Sequence, residues 1–242
     1  FHTFKYAQKR FLIYNLRLMV SQKILQFLED LKQNNNREWF HDNKDRYEIY
    51  KKEYTKLIEE FLAEMIPLDD SLRHLEPKNC SFRIARDIRF SKDKTPYKTH
   101  MGIWLSGGTK NTNLPGYYIH IEEGKSFIGG GVWWPDATDL KKIRKEIAYF
   151  YEDLEEILED KNFKKEFGDF ERNVSVSLKN APKDYEKDHP AIEFLKLKSF
   201  TAGQNLDDSI LKDKDFVKKV SKKLIALKPM NEFLERALTT EE

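Results

Sequence analysis

The chain has 242 residues, 39% hydrophobic and 13% aromatic, and its 43 basic and 41 acidic side chains leave a net charge of +2. That composition excludes a disordered or fibrous chain and describes a globular fold with a heavily charged surface. Near-neutrality excludes a global pull toward nucleic acid or membrane, so either partner would have to be held by a local patch.

Residues 1–18 carry four basic side chains and no acid, but Asn15 and Arg17 interrupt their apolar part and no small-residue cleavage site follows. Met19 directly precedes the first well-patterned helix. Residues 1–18 are therefore expected to be an upstream or disordered extension, and 19–242 one domain. No apolar run approaches the roughly 18 residues of a membrane helix. Cys80 is the single cysteine, so an internal disulfide and a cysteine metal cage are both excluded and a reducing cytoplasm is the expected location.

Ser21 suits the N-cap of a helix through Ile24, Leu25, Phe27, Leu28 and Leu31, and Asn34-Asn35-Asn36 ends it, because asparagine tolerates a left-handed turn. A longer helix is expected over 37–65, with Tyr47, Tyr50, Tyr54, Ile58 and Phe61 in its apolar stripe. The two form an N-terminal hairpin. The period then changes to two. Residues 81–86, 97–105, 117–122 and 126–134 read as four successive strands joined by short loops, which implies antiparallel pairing. Gly129-Gly130-Gly131 marks a bulge or the close approach of another backbone, and Trp133 and Trp134 are expected in the core.

Pro135-Asp136 opens a long helix to about residue 160, and a short helix is expected over 162–170. A strand over 174–178, a short helix over 191–195 and an edge strand over 198–201 follow. The C-terminus is helical from about residue 213, with Pro229 starting the last helix. The expected fold class is α+β: a central, mostly antiparallel sheet with an N-terminal helical hairpin, a long middle helix and C-terminal helices packed around it.

The most unusual stretch is FRIARDIRFSKDKTPYKTH, residues 82–100. Between Arg83 and Lys98 it holds three arginines, three lysines and two acids, an excess of four that exceeds the net charge of the whole chain. Arginine forks grip phosphate or carboxylate through paired hydrogen bonds, and lysines add point charge. Arg83, Arg86, Arg89, Lys92, Lys94 and Lys98 are thus the candidate anion ligands, with Tyr97 offering a hydroxyl. Arg86 would share the apolar face of Ile84 and Ile88, where a guanidinium needs a carboxylate or a ligand. The competing reading is a web of internal ion pairs that holds a loop on the sheet.

For acid–base chemistry the candidates are Asp87, His100, His120 and His189. If their strands pair, His100 and His120 share one face with Lys98 and Glu122. No H-x-H or H-E-x-x-H spacing occurs, so the sequence marks no metal set; no cofactor is indicated either. Lys187-Asp188-His189-Pro190 reads first as a helix cap. Gly124-Lys125-Ser126 ends like a phosphate loop, but the earlier glycine that loop needs falls at Ile119.

The spacing Arg83-x-x-Arg86-Asp87-x-Arg89-Phe90, followed by Asp93-Lys94-x-x-Tyr97-Lys98, closely resembles the signature of the domain of unknown function 2461 family. Asn34-Asn35, Arg37-Glu38-Trp39-Phe40, Asn43-Lys44 and Tyr47 are similar to its N-terminal hallmark. Lys183-x-Tyr185-x-x-Asp188-His189-Pro190 with Leu195-Lys196-x-Lys198 is similar to its C-terminal one. The resemblance spans about residues 24–226. It implies a mostly bacterial family of proteins of this length, with no activity to carry over. Asn180-Ala181-Pro182 and Asp184 depart from the family pattern, which takes functional weight off that segment and leaves the central motif intact.

Three readings follow. The first is a protein, with or without catalysis, that binds a phosphate- or carboxylate-bearing small molecule through the basic motif. The second is nucleic-acid association, with the same cations tracking phosphates and Trp104, Tyr117 or Trp134 stacking on bases. The third is a partner-binding module in which the motif is structural.

Overall fold

A computed structural model describes residues 19–108 and 113–240; the expected extension over 1–18 lies outside these described residues. Helix α1 (Gln22–Gln33) buries Ile24, Leu25, Phe27, Leu28 and Leu31, the stripe read from the sequence. Asn34 ends it at φ −128°, outside the left-handed region, and its amide donates to the Asp30 carbonyl at 2.9 Å.

The single helix expected over 37–65 is two, α2 (Arg37–Asp42) and α3 (Lys44–Met65). Asn36 caps α2 by accepting from the Trp39 N–H at 2.9 Å, and Asn43 leaves helical geometry while its amide donates to the Trp39 carbonyl at 2.9 Å. The Asn43 side chain shares the Trp39 carbonyl with its own backbone N–H, which donates at 3.0 Å, and the chain changes direction there. The break turns Trp39 and Phe40 onto Phe27 of α1, with ring centroids 6.0 and 6.5 Å away. The short helix α4 (Pro77–Cys80) leads into the basic segment.

Strands β1 (Met101–Ser106), β2 (Gly116–Ile121), β3 (Phe127–Val132) and β4 (Phe200–Asn205) form one antiparallel sheet in the order β1-β2-β3-β4. The sheet has four strands as expected, but not the same four. Residues 81–86 make only the isolated bridges Ser81–Ile103 and Ala85–Tyr97. The segment folds back on itself, with Arg86 N–H donating to the Pro96 carbonyl at 2.9 Å and Lys98 N–H to the Ile84 carbonyl at 2.8 Å. Pro96 has no N–H with which to continue a ladder. The strand expected over 174–178 is likewise reduced to the Ser177–Leu197 bridge, and β4 takes the edge beside β3.

Within β3 the glycine run does mark a close approach. Gly131 sits at φ +108°, and a Cβ there would stand 2.0 Å from the Phe200 carbonyl oxygen of β4. The two tryptophans that follow are not core residues. Trp133 is 70% exposed and Trp134 46% exposed, the latter turned out at φ 49° with Lys198 5.1 Å above its ring.

The long middle helix divides at Phe150 (φ −124°, ψ 42°) into α5 (Ala137–Tyr149) and α6 (Tyr151–Glu159). Helices α7 (Lys161–Glu166) and α8 (Ile192–Leu195) are short, and α9 (Phe216–Leu224) and α10 (Lys228–Thr239) complete the chain. Both α9 and α10 pack on β3, and α9 also packs on α3. No helix among the described residues is long and apolar enough to cross a membrane.

The register decides which side chains share a face. Met101, Ile103 and Leu105 lie beside Ile121, Ile119 and Tyr117, and all six are buried. Their face belongs to one hydrophobic cluster running from Val20 to Ala237. The opposite face carries Gly102, Trp104, Tyr118, His120 and Phe127. This second, more polar face meets the basic segment.

Candidate functional site

The basic segment is a folded-back loop whose cations divide into two groups. Arg86 Nη1 donates to Asp93 Oδ2 at 2.5 Å, to the Thr95 carbonyl at 3.1 Å and to the Thr95 hydroxyl. It thereby ties the two arms together. The Asp93 carboxyl, held by the Thr95 backbone N–H and then by Arg86, falls to about 2. Arg89 forms a two-pronged pair with Asp87, Nε to Oδ1 at 2.9 Å and Nη2 to Oδ2 at 2.6 Å. The Arg89 contact pushes Asp87 below the usual carboxylate range, with a smaller contribution from Arg83. Lys94 donates to the Ile88 carbonyl at 3.0 Å, while Lys92 is exposed. The charges of Arg86, Arg89 and Lys94 are therefore engaged inside the loop.

Tyr97 fixes the loop to the helical hairpin. Its ring stacks on Phe40 at 4.0 Å, and its backbone N–H and carbonyl pair with the Asn35 side chain at 3.1 and 2.9 Å. The turn between α1 and α2 thus positions the return arm of the basic loop.

Arg83 and Lys98 are the second group. They line a pocket of about 130 Å³ where the loop meets α3 and β1, together with Tyr54, Phe82, His100 and Tyr118. Among the described residues neither cation has a carboxylate within ion-pair distance. Lys98 is half-buried with its ammonium 5.2 Å from the centre of the Phe82 ring, and burial, with Arg83 nearby, pushes it below the usual lysine range. The Tyr54 hydroxyl accepts from the Phe82 N–H at 3.1 Å and donates to the Gly102 carbonyl, so one buried group holds loop, helix and strand in register. A Cβ on Gly102 would stand 2.7 Å from the Tyr118 hydroxyl; the glycine makes room for that wall of the pocket.

His100 borders the same pocket and faces His120, with ring centroids 4.4 Å apart. Burial first, and His120 second, push His100 down to about 4, so its imidazole is neutral at neutral pH. Burial also lowers His120, against the pull of Glu122. His120 Nδ1 lies 3.2 Å from the Tyr118 hydroxyl and Nε2 lies 3.3 Å from Glu122 Oε2, while the ring stacks on Phe127 at 4.7 Å. One donor atom from each of His100, His120 and Glu122 falls within 4.8 Å of the others, a set able to hold a metal ion.

Of the sequence candidates, Arg83, Lys98, His100 and His120 come together, while Asp87, Arg86, Arg89, Lys94 and Tyr97 serve the loop around them. His189 is elsewhere, in the turn before α8, which is capped by Ala191 and not by Asp188 or His189: the His189 Nδ1 accepts from the Ala191 N–H at 3.0 Å and its ring meets Tyr185. Tyr54, Phe82 and Tyr118 carry no mark of a site role in the sequence. Tyr54 belongs to a helical core stripe and carries no local mark of its second role. Glu122 was legible only conditionally, through the alternation His120-x-Glu122 on a strand paired with the one after His100.

A family model described as a conserved hypothetical protein (DUF2461) matches residues 23–233. No curated protein and no solved structure matches the chain. With most of its length covered, including the folded-back basic loop and the sheet it closes upon, the chain belongs to the DUF2461 family.

Proposed function

We propose that the protein binds a small molecule through a phosphate or carboxylate group, gripped by Arg83 and Lys98 in the pocket beside Tyr54 and His100. The observation that carries this reading is the pair of cations facing one cavity with no carboxylate partner among the described residues. Lys98 is partly desolvated and Arg83 exposed at the pocket's edge, and two like charges so placed oppose one another and favour an anion between them. Size narrows the ligand: about 130 Å³ admits a phosphate or a small carboxylate group, whereas drug-sized ligands occupy roughly 300–1,000 Å³. The rest of a larger ligand would lie outside, toward the exposed part of Phe82. The lone thiol Cys80, buried in α4, fits a reducing compartment, and we place the protein in the cytoplasm.

Thermal shift with inorganic phosphate, acetate and malonate tests this, since a ligand of the native state raises the melting temperature with its concentration. Wild type should respond to at least one, Arg83→Ala and Lys98→Met should not, and Arg89→Ala should behave as wild type. No response from wild type, or equal responses from the Arg83 and Lys98 variants, would refute the reading.

One observation favours nucleic acid as a second reading: Phe90 is 96% exposed at the loop tip beside Arg89, whose side chain is 77% exposed. On that reading an oligonucleotide binds with steep salt dependence, and Phe90→Ala abolishes the binding.

A further inference from the structure

His100, His120 and Glu122 meet where β1 begins and β2 ends. They come from two separate stretches of chain, and the sheet brings them together. Met101 pairs with Ile121, and extending that register by one residue sets His100 opposite Glu122. His120 lies two residues before Glu122 on the same face of β2.

We propose that these three side chains bind a divalent first-row transition ion of the Zn²⁺ type. Two imidazoles and one carboxylate are a donor set for such ions, whereas Mg²⁺ and Ca²⁺ prefer all-oxygen shells. Spacing supports the assignment. In a tetrahedral site with bonds of about 2.05 Å, neighbouring donor atoms stand about 3.3 Å apart. His120 Nε2 and Glu122 Oε2 are already 3.3 Å apart. The whole set spans no more than 4.8 Å, and His100 lies just outside the β1 ladder, where turning its ring closes the remainder.

The surroundings match those of a metal-binding histidine. The second ring nitrogen of such a histidine is normally held by a hydrogen bond that fixes tautomer and orientation. Here the Tyr118 hydroxyl stands 3.2 Å from His120 Nδ1, and Phe127 stacks on the ring from the β3 side. The Glu122 side chain is only 15% exposed, and its one lysine partner among the described residues, Lys125, is 3.7 Å away with 72% of its own side chain exposed. A carboxylate so enclosed, facing two imidazoles, gains more from a cation than from that lysine. His100 also lines the pocket of Arg83 and Lys98, so ion and anion would share a wall. The metal assignment does not depend on the anion reading.

The test uses the full chain, stripped with EDTA and dialysed into a phosphate-free, non-coordinating buffer. Calorimetric titration with Zn²⁺ should give one equivalent of tight binding, and Co²⁺ should produce a visible d–d band of tetrahedral intensity. His100→Ala and Glu122→Gln should each weaken Zn²⁺ binding by about 100-fold or more and remove the band. His189→Ala, at a histidine remote from the cluster, should change neither. If a ligand variant does not fold, as judged by circular dichroism, Tyr118→Phe takes its place, with an expected loss of about 10–100-fold for an outer hydrogen-bond partner. No binding of either ion to wild type would overturn the proposal. So would binding that survives both ligand substitutions, because the ion would then sit elsewhere.

Discussion

Arg86 and Asp93, seven residues apart, close the basic loop with a 2.5 Å contact between Nη1 and Oδ2. Arg86, expected on an apolar face, thus finds its carboxylate within its own loop. The role is local, since exposed ion pairs contribute little to global stability. Asp93→Ala should therefore speed tryptic cleavage at Arg89, Lys92 or Lys94 several-fold while leaving the melting temperature of the core nearly unchanged. Cleavage at the wild-type rate would show that Thr95 and the backbone bridges close the loop without the ion pair.

Tyr54 joins three elements through one hydroxyl. Tyr54→Phe leaves the Phe82 N–H and the Gly102 carbonyl without their partner. A buried group left unpaired costs about 1–3 kcal/mol, so urea unfolding should report a loss of about 2 kcal/mol. Because the same hydroxyl positions Phe82 at the pocket, the phosphate response should weaken as well. A stability loss with an unaltered ligand response would separate the pocket from this hydrogen bond.

Asn35 holds the return arm of the loop by pairing with both backbone groups of Tyr97. Asn35→Ala removes both bonds and should cost about 1–2 kcal/mol. It should also reduce the near-ultraviolet dichroism of the Tyr97–Phe40 stack. Asn35→Asp retains the acceptor and should fall between the two. An alanine variant as stable as wild type would place the anchorage in the aromatic stack alone.

Glu60 makes stability depend on pH. Burial lifts its carboxyl to about 7 from 4.5, and its Oε1 has no hydrogen-bond partner among the described residues. The folded state holds this proton more tightly than the unfolded chain. The group's penalty is therefore absent below about pH 4.5, grows as pH rises through 7, and is constant above. Glu60→Gln should exceed wild type by about 1–2 kcal/mol at pH 8, less than the full shift because the residue keeps some contact with water. At pH 4, below both values, the two should nearly coincide. A difference of the same size at both values would mean that the carboxyl does not titrate in this window.

Local pattern was enough for much of the architecture. The buried stripes of α1 and α3, the alternating faces of β1 and β2, and the change of period between helices and sheet were all readable, because solvent exclusion acts on each element through its own periodicity. Where side chains competed with the backbone, as at Asn43, that periodicity ran straight through a real break. The place of the candidate site was legible too, in a cluster of cations too dense for an ordinary surface.

Which of those cations remain available was decided only by the fold. Arg83, Arg86 and Arg89 look alike in sequence, but Asp93 on the loop's return path neutralises the second, and Asp87, two residues away, the third. Tyr54 became a wall of the pocket because α3 crosses the start of β1. His100 came to face Glu122 because an antiparallel register placed Met101 against Ile121. Residue type and spacing specify what each element buries, whereas the meeting of side chains from distant elements depends on how those buried faces pack.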